Sequence, residues 1–247
     1  MQNISGNTIL ITGGASGIGL AFAERFVAKG NDVIVCGRRK DQLDLAKSQV
    51  PKLHTIQADV ATEAGRTQLA EQVLREFPKL NVLVNNAGVQ NGQPLVIEKQ
   101  DWKIHANEIA INLEAPMHLS FLFIPQLLKQ SSSAIINVTS GLAFVPIAFA
   151  PTYCATKAAL HSWTMSLRHQ LKATSIKVIE CAPPAVQTDL GGKGHHDFGA
   201  RLDAFADSAF SDLEKGKDEF GYGSAQTRLD MTAKLTEMFH EINAPKS

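Results

Sequence analysis

The chain has 247 residues, of which 44% are hydrophobic and 19% charged, which is enough for one well-cored globular domain. Basic and acidic residues both number 24, so no net positive charge favours nucleic acid or an anionic membrane as a partner. Three separated cysteines without a C-x-x-C pair argue against a zinc site or a disulfide framework and favour a reducing compartment.

The N-terminal residues lack the basic segment and long apolar run that are typical of a secretory signal. The longest apolar stretches, near Phe121–Leu128 and Leu142–Pro151, are too short to cross a bilayer and contain prolines. A cytoplasmic location away from membranes is therefore expected.

Short β-branched segments alternate with amphipathic ones, as in β-α-β units around a parallel sheet. The predicted strands are Thr8–Thr12, Asp32–Cys36, Leu53–Gln57, Val82–Asn85, Ala134–Thr139 and Ile176–Cys181, with Asp218–Gly223 as a candidate seventh. The predicted helices are Ile18–Lys29, Glu63–Phe77, Asp101–Gln130 with a bend at Pro116, Thr152–Lys172 and a terminal helix over Ala225–Ile242. The pattern predicts an α/β fold, a doubly wound parallel sheet of the Rossmann type, in a single domain spanning residues 1–247.

A glycine-rich turn, from Thr12 to Gly19, leads from the first strand directly into the first helix. Glycine permits a positive φ, a close approach of the backbone to a pyrophosphate, and close packing of helix on strand. The N–H groups and the dipole of the helix would then face the phosphates. A tight connection without a ligand is the alternative. The expected contacts come from Gly13, Ser16, Gly17, Ile18 and Gly19.

The second strand is followed by Gly37-Arg38-Arg39, with no carboxylate to accept hydrogen bonds from the ribose of NAD. The Arg38 guanidinium could instead bind the 2′-phosphate of NADP. Two solvated arginines in a turn are the alternative interpretation. The sequence thus favours NADP(H), with NAD(H) less favoured.

Several motifs follow in one order along the chain, and their conjunction is far more specific than any one of them. They are the turn Thr12–Gly19, Asp59-Val60, Asn85-Asn86-Ala87-Gly88, Asn112, Ser140, and Tyr153-Cys154-Ala155-Thr156-Lys157. By these motifs the chain, from about Ser5 to Leu190, resembles the classical short-chain dehydrogenase/reductase family. The Gly-Arg-Arg turn and the segment Pro183–Thr188, in which Pro184 replaces the family's usual glycine, look most like the bacterial DltE-type branch.

The resemblance implies a reductase or dehydrogenase that moves a hydride between a nicotinamide and a carbonyl or secondary alcohol carbon. It implies four catalytic residues: Asn112, Ser140, Tyr153 and Lys157. It further implies cofactor contacts from Asp59 and Val60 at the adenine, from Asn86, Ala87, Gly88, Tyr153 and Lys157 near the nicotinamide ribose, and from Val186 and Thr188 at the carboxamide. Family members generally pair through two long helices, so a homodimer is expected and a tetramer is an alternative.

The residues themselves support this chemistry. Tyr153 and Lys157 lie four apart, so on a helix they face one small volume. The Lys157 ammonium is expected to lower the pKa of the Tyr153 phenol and make it a better acid–base catalyst. Ser140 ends the fifth strand, where ligands of doubly wound folds bind, and its hydroxyl could donate to a substrate oxygen.

The segment Leu142–Pro151 carries no charge, so Leu142, Phe144 and Phe149 are expected to line a site for a small or medium apolar ketone, aldehyde or secondary alcohol. Packing of these side chains against a helix is the alternative. Residues 190–215, which begin with a glycine-rich stretch, are expected to form a substrate-binding loop and helix region.

No spacing of histidines or cysteines indicates a metal. Six histidines are interpreted as surface or loop residues: His105, His118, His161, His169, His195 and His196. Two other functions remain open: a non-catalytic NADP(H)-binding regulatory protein, and a non-redox enzyme such as an epimerase, dehydratase or hydrolase.

Overall fold

The computed structural model describes residues 3–92, 101–234 and 237. Its seven strands are parallel and form one sheet in the order β3-β2-β1-β4-β5-β6-β7. They are β1 Thr8–Thr12, β2 Asp32–Gly37, β3 His54–Gln57, β4 Val82–Asn85, β5 Ser133–Val138, β6 Ile176–Ala182 and β7 Glu219–Gly221. The doubly wound, Rossmann-type sheet predicted from the sequence is confirmed, including the candidate seventh strand.

The helices of the described residues are α1 Gly17–Ala28, α2 Lys40–Gln49, α3 Glu63–Glu76, α4 Trp102–Ile109, α5 Ala115–Leu127, α6 Pro151–Leu171, α7 Leu202–Glu214 and α8 Ser224–Asp230. The sequence did not predict α2. Helix α8 covers the start of the predicted terminal helix, and residues 235, 236 and 238–247 lie outside the described residues. None of the helices in the described part of the chain is both long and apolar enough to cross a membrane.

The predicted helix over Asp101–Gln130 is interrupted in its first half. A π-helical turn, Ala110–Glu114, separates α4 from α5, and the Ala115 N–H donates to the carbonyl of Ala110, five residues back. Pro116 has no N–H to offer the carbonyl of Asn112, which favours the wider turn. The interruption therefore lies before Pro116, where the sequence predicted a bend, and it contains Asn112.

Two hydrophobic clusters cover the two faces of the sheet. One joins the strands to α1, α2 and α7, and the other joins them to α3, α5 and α6. Because helices bury both faces, β4 and β5 are buried at every position. The polar carboxyl edge of the sheet is left between the two helical layers, and the residues expected to be functional lie there.

Candidate active site

The glycine-rich turn between β1 and α1 has little room for side chains. Gly13 and Gly17 have positive φ values of 65° and 53°. A Cβ on Gly19 would lie 2.4 Å from the Gly13 carbonyl oxygen, and one on Gly13 would lie 2.9 Å from the Ala87 Cα. The first turn of α1 contains no acidic residue, and the side chain of Ser16 makes no capping hydrogen bond. The turn therefore fits a phosphate group at the positive end of the helix.

Hydrogen bonds join this turn to the end of β4. The backbone N–H groups of Asn86 and Ala87 both donate to the Thr12 hydroxyl at 3.0 Å. The Asn86 side-chain amide donates to the carbonyls of Thr12 and Gly13 at 2.9 and 3.2 Å. A Cβ on Gly88 would lie 3.7 Å from the Lys157 Nζ, so the segment 86–88 bridges the glycine-rich turn and Lys157.

Arg38 is exposed and, with Asp59, lines a groove of about 530 Å³ beside α3. Its carbonyl accepts a hydrogen bond from the Gln57 side chain at 2.9 Å, which ties the end of β2 to β3. The Asp59 carboxylate accepts from the Ala61 N–H at 3.0 Å, and Val60 is buried. The guanidinium, not a carboxylate, is thus the charged group that follows β2.

The four residues expected to be catalytic lie together at the carboxyl edge, and each is at least nine-tenths buried: Asn112, Ser140, Tyr153 and Lys157. Ser140 precedes a short 3-10 turn, Gly141–Ala143, and its Oγ accepts from the Leu142 N–H at 3.1 Å. Tyr153 and Lys157 project from the first turns of α6, with the Lys157 Nζ 5.6 Å from the centre of the Tyr153 ring. The Ser140 side chain hydrogen-bonds to Tyr153.

Backbone carbonyls and amides hold two members of this group. The Lys157 Nζ donates to the Val138 carbonyl at 2.8 Å. The Asn112 side chain accepts from the Val89 N–H at 2.9 Å and donates to the Val89 carbonyl at 2.8 Å. Asn112, which lies in the π-helical turn, therefore fixes the loop after β4 by two hydrogen bonds to Val89.

The acidity of Tyr153 differs from the sequence expectation. Burial raises its pKa to about 12; the hydrogen bond from Ser140 lowers it, and Cys154 and Glu108 raise it further. Burial also lowers the pKa of Lys157 to about 8, against the opposing charges of Cys181 and Glu108. The expected lowering of the Tyr153 pKa by Lys157 is wrong for the protein alone, because desolvation dominates and the ammonium is directed at a carbonyl.

Sequence reasoning missed Glu108. Its side chain is fully buried and accepts from the backbone N–H and the side-chain amide of Asn91 at 3.2 and 3.3 Å. Burial raises the pKa of this carboxyl group, although Asn91 opposes the change. The signal was its position four residues before Asn112, which places both on one face of the helix. His105 lies on the same face, buried and hydrogen-bonded to the Thr152 hydroxyl at 2.9 Å, so its assignment to the surface was wrong.

His161 was also wrongly interpreted as a surface residue. Its Nδ1 lies 2.9 and 3.0 Å from the carboxylate oxygens of Glu180, which is fully buried on β6. The Thr139 hydroxyl donates to the same carboxylate at 2.7 Å. No local pattern indicates this cluster, because its three members come from α6, β6 and the end of β5.

The three expected substrate-lining residues have different surroundings. Leu142 is partly buried, and Phe144 contacts the His161 ring edge-on, with ring centres 4.7 Å apart. Phe149 is 55% exposed, and its ring lies so close to Gly92 that a Cβ there would be 2.0 Å from Cε1. Phe149 therefore faces the loop after β4, whereas Phe144 packs against α6.

The segment after β6 reaches over the same edge. Thr188 lies beside the glycine-rich turn, since a Cβ on Gly17 would be 3.3 Å from its Cγ2. Val186 is buried and forms an isolated parallel bridge with Ala200, which closes the glycine-rich loop between them. A Cβ on Gly191 would lie 3.3 Å from the Gln90 carbonyl, so the loop touches the segment that follows β4.

In the described ranges, no group of three or more histidine, cysteine, aspartate or glutamate side chains is placed to hold a metal ion. The cluster at the carboxyl edge is suited to move a proton at the Tyr153 phenol.

Comparisons with known proteins agree with this arrangement. Residues 7–197 match the family model described as short chain dehydrogenase. An uncharacterized oxidoreductase, DltE of Bacillus subtilis, is 44% identical over the full length of both chains. A short-chain dehydrogenase from Sphingobium yanoikuyae in complex with NADPH superposes with a TM-score of 0.83 at 25% identity, covering 98% of each chain. One from Burkholderia cenocepacia in complex with NADP gives 0.81 at 25% identity over all of both chains. The chain therefore belongs to the short-chain dehydrogenase/reductase family of oxidoreductases, in its DltE-like branch.

Proposed function

We propose that the chain is an NADP(H)-dependent oxidoreductase that reduces a carbonyl or oxidises a secondary alcohol, with Tyr153 as the general acid and base. One observation carries this proposal: Ser140, Tyr153, Lys157 and Asn112 are buried together beside the glycine-rich turn. A bound nicotinamide would supply or accept the hydride.

The protein's own groups would handle the oxygen and the proton. In reduction, the Ser140 hydroxyl donates a hydrogen bond to the substrate oxygen, and that bond strengthens as negative charge develops. Tyr153 transfers its proton to the same oxygen and later regains one from solvent. Lys157 keeps a positive charge near the phenolate, and Asn112 holds the loop against which the site is built.

Different groups of residues would hold different parts of the cofactor. Gly13, Ser16, Gly17, Ile18 and Gly19 would bind its phosphates, and Arg38 its 2′-phosphate. Asp59 and Val60 would flank the adenine; Asn86, Ala87, Gly88, Tyr153 and Lys157 would surround the nicotinamide ribose; Val186 and Thr188 would meet the carboxamide. Support comes from the fit of the turn to phosphate and from the NADPH and NADP complexes of the two similar structures.

The substrate is proposed to be a small or medium apolar ketone, aldehyde or secondary alcohol, bound against Leu142, Phe144 and Phe149 and under residues 190–215. These lining side chains carry no charge, which disfavours a charged sugar phosphate. We further propose a single domain over residues 1–247, a cytoplasmic location, and a homodimer, with a tetramer as the larger alternative.

The test is a Tyr153→Phe substitution. We expect kcat to fall at least about 100-fold, because the proton donor is lost while the ring and its packing remain. The measurement is NADPH absorbance at 340 nm with a panel of aryl ketones, aldehydes, diketones and keto esters. Tyr222→Phe, which changes the chain's only other tyrosine, is the matched control and should keep full activity.

Three other outcomes of these assays would contradict the proposal. Full turnover by Tyr153→Phe would remove Tyr153 from the mechanism. Tight NADPH binding with no turnover across the panel would favour a regulatory protein. Substrate conversion without net NADPH consumption would favour a non-redox reaction.

A further inference from the structure

Three side chains of helix α6 make polar links to Val138, Thr139 and Ser140 at the end of β5. Tyr153, Lys157 and His161 are spaced by four residues, so they lie along one face of the helix. Tyr153 hydrogen-bonds to Ser140, and Lys157 donates to the Val138 carbonyl at 2.8 Å. His161 is linked through the carboxylate of Glu180 to Thr139, which lies between Val138 and Ser140 in the chain. The three links thus meet three consecutive positions of the chain.

The third link is charged and buried. Glu180 has no exposed surface, and its carboxylate receives the Thr139 hydroxyl at 2.7 Å and the His161 Nδ1 at 2.9 Å. Among the ion pairs of the described residues, His161 is its partner. A buried carboxylate is costly unless it is hydrogen-bonded and compensated by a positive charge. The imidazolium form of His161 supplies that charge.

The surroundings of His161 favour this form. Burial by itself lowers the pKa of His161, but the hydrogen bond and charge of Glu180 on β6, together with the charge of Glu219 on β7, raise it overall. Arg168, on α6 itself, opposes the rise and is engaged by Glu219. The ring of Phe144, from the loop after β5, packs against the imidazole.

We propose that His161 and Glu180 are positioning residues. As an imidazolium–carboxylate pair, they fix α6 against the end of β5 and so hold Tyr153 and Lys157 in position beside Ser140. The activity readout rests on the proposed function, whereas the titration of His161 does not. When His161 loses its proton, the Glu180 carboxylate loses its positive partner, and the link between α6, β5 and β6 weakens.

The sign of the pH effect follows from the direction of the shift. Because folding raises the pKa of His161, the pair's contribution to stability is complete below about pH 6.5, the ordinary histidine value. That contribution is lost as pH rises through the pKa of His161 in the folded protein. Turnover should decline over the same interval.

The experiment is an NMR titration of protein labelled with ¹³C at histidine and tyrosine rings, followed by kinetics. His161 is assigned among the eight histidines by its absence in His161→Gln. In the parent protein we expect His161 to titrate above 6.5 and the Tyr153 signal to shift in the same interval, with Tyr222 unaffected. In Glu180→Gln, which nearly preserves shape, the pKa of His161 should fall.

The kinetic arm compares variants at several pH values. We expect Glu180→Gln and His161→Gln to lower kcat about tenfold to hundredfold, as small misplacements of reacting groups do. Both variants should also lose the decline in turnover that the parent protein shows as pH rises through the pKa of His161. Thr164→Val is the matched control, because it removes another buried link from α6 to β5, the hydrogen bond between Asn137 and Thr164. It should lower stability but leave the pH profile unchanged.

Two NMR results would overturn the proposal: a parent His161 whose pKa is at or below 6.5, or a Tyr153 signal that does not shift as His161 titrates. Unchanged kcat and pH profile in Glu180→Gln would do the same. If the parent protein turns over no substrate, the proposed function fails, and the NMR titration still decides the role of the pair.

Discussion

Arg38 and Arg39 are adjacent, exposed and equally charged, but they occupy different surroundings. Arg38 lines the groove that contains Asp59, whereas Arg39 precedes the first turn of α2. Arg38 is therefore the residue proposed to bind the 2′-phosphate of NADP. A charge-assisted hydrogen bond there is worth about 1.5–3 kcal/mol, which corresponds to about tenfold to hundredfold in affinity.

We predict that Arg38→Ala weakens NADPH binding about tenfold to hundredfold and leaves NADH binding nearly unchanged, because NADH lacks the 2′-phosphate. The dissociation constants of both cofactors can be measured by nicotinamide fluorescence. Arg39→Ala is the control for loss of one positive charge and should change both constants little. Equal weakening of both cofactors by Arg38→Ala would contradict a phosphate contact.

Residue positions were easier to predict than residue acidities. The spacing of Tyr153 and Lys157 sufficed to place them on one face, because helical geometry is local. The acidity of Tyr153 depends on burial and on Glu108, which α4 brings from 45 positions earlier in the chain. No short pattern contains that information, and the expected effect of Lys157 was therefore wrong.

At the scale of elements, α7 supports the helix that begins at the glycine-rich turn. The Phe22 ring stacks on Phe205 at 6.1 Å between centres, and the Phe26 ring lies 4.6 Å from Phe210. Phe210 also meets Phe22 edge-on at 5.7 Å. These aromatic contacts lie between α1 and α7 and fix the helix whose first turn faces the proposed phosphate site.

We predict that Phe210→Ala lowers the free energy of unfolding by about 3–5 kcal/mol, because it leaves a cavity between α1 and α7. Urea unfolding followed by circular dichroism provides the measurement. Phe198→Ala, which truncates a phenylalanine that is 80% exposed, is the control and should change stability by less than about 0.5 kcal/mol. A loss below 1 kcal/mol for Phe210→Ala would show that these rings do not hold the two helices together.

The strands were predicted to within two residues, most directly where burial on both faces leaves a nearly continuous apolar segment, as in β4. The helices were predicted less completely. Helix α2 buries only Leu43 and Ala46, so its apolar periodicity is weak. Helix α7 follows the glycine-rich stretch that suggested a loop. The π-helical turn was not predicted, because Pro116 signals an interruption of the helix but not where it starts.

At the scale of the whole molecule, α4 and α5 expose large apolar side chains. Trp102, Phe121 and Leu128 are 68%, 61% and 47% exposed, and the Phe121 ring meets Trp163 edge-on at 6.4 Å. Exposed apolar patches on a soluble chain commonly mark an interface. The proposed homodimer would cover this surface by two-fold pairing of the same helices.

We predict that Phe121→Asp converts the dimer to a monomer, because it places a charge at the centre of the paired surface. Sedimentation velocity at several protein concentrations gives the oligomeric state. Phe198→Asp introduces the same charge at another exposed phenylalanine and should leave the dimer intact. A dimer that survives Phe121→Asp would require a different interface.

The Thr12 hydroxyl accepts hydrogen bonds from Asn86 and Ala87, and the distance between these residues along the chain matters during synthesis. The ribosome makes Thr12 first, and its partners follow more than 70 residues later. Until β4 has emerged and paired with β1, the glycine-rich turn has no second wall. The proposed nucleotide site therefore lacks this wall until the first four of the seven strands in the described chain have been made.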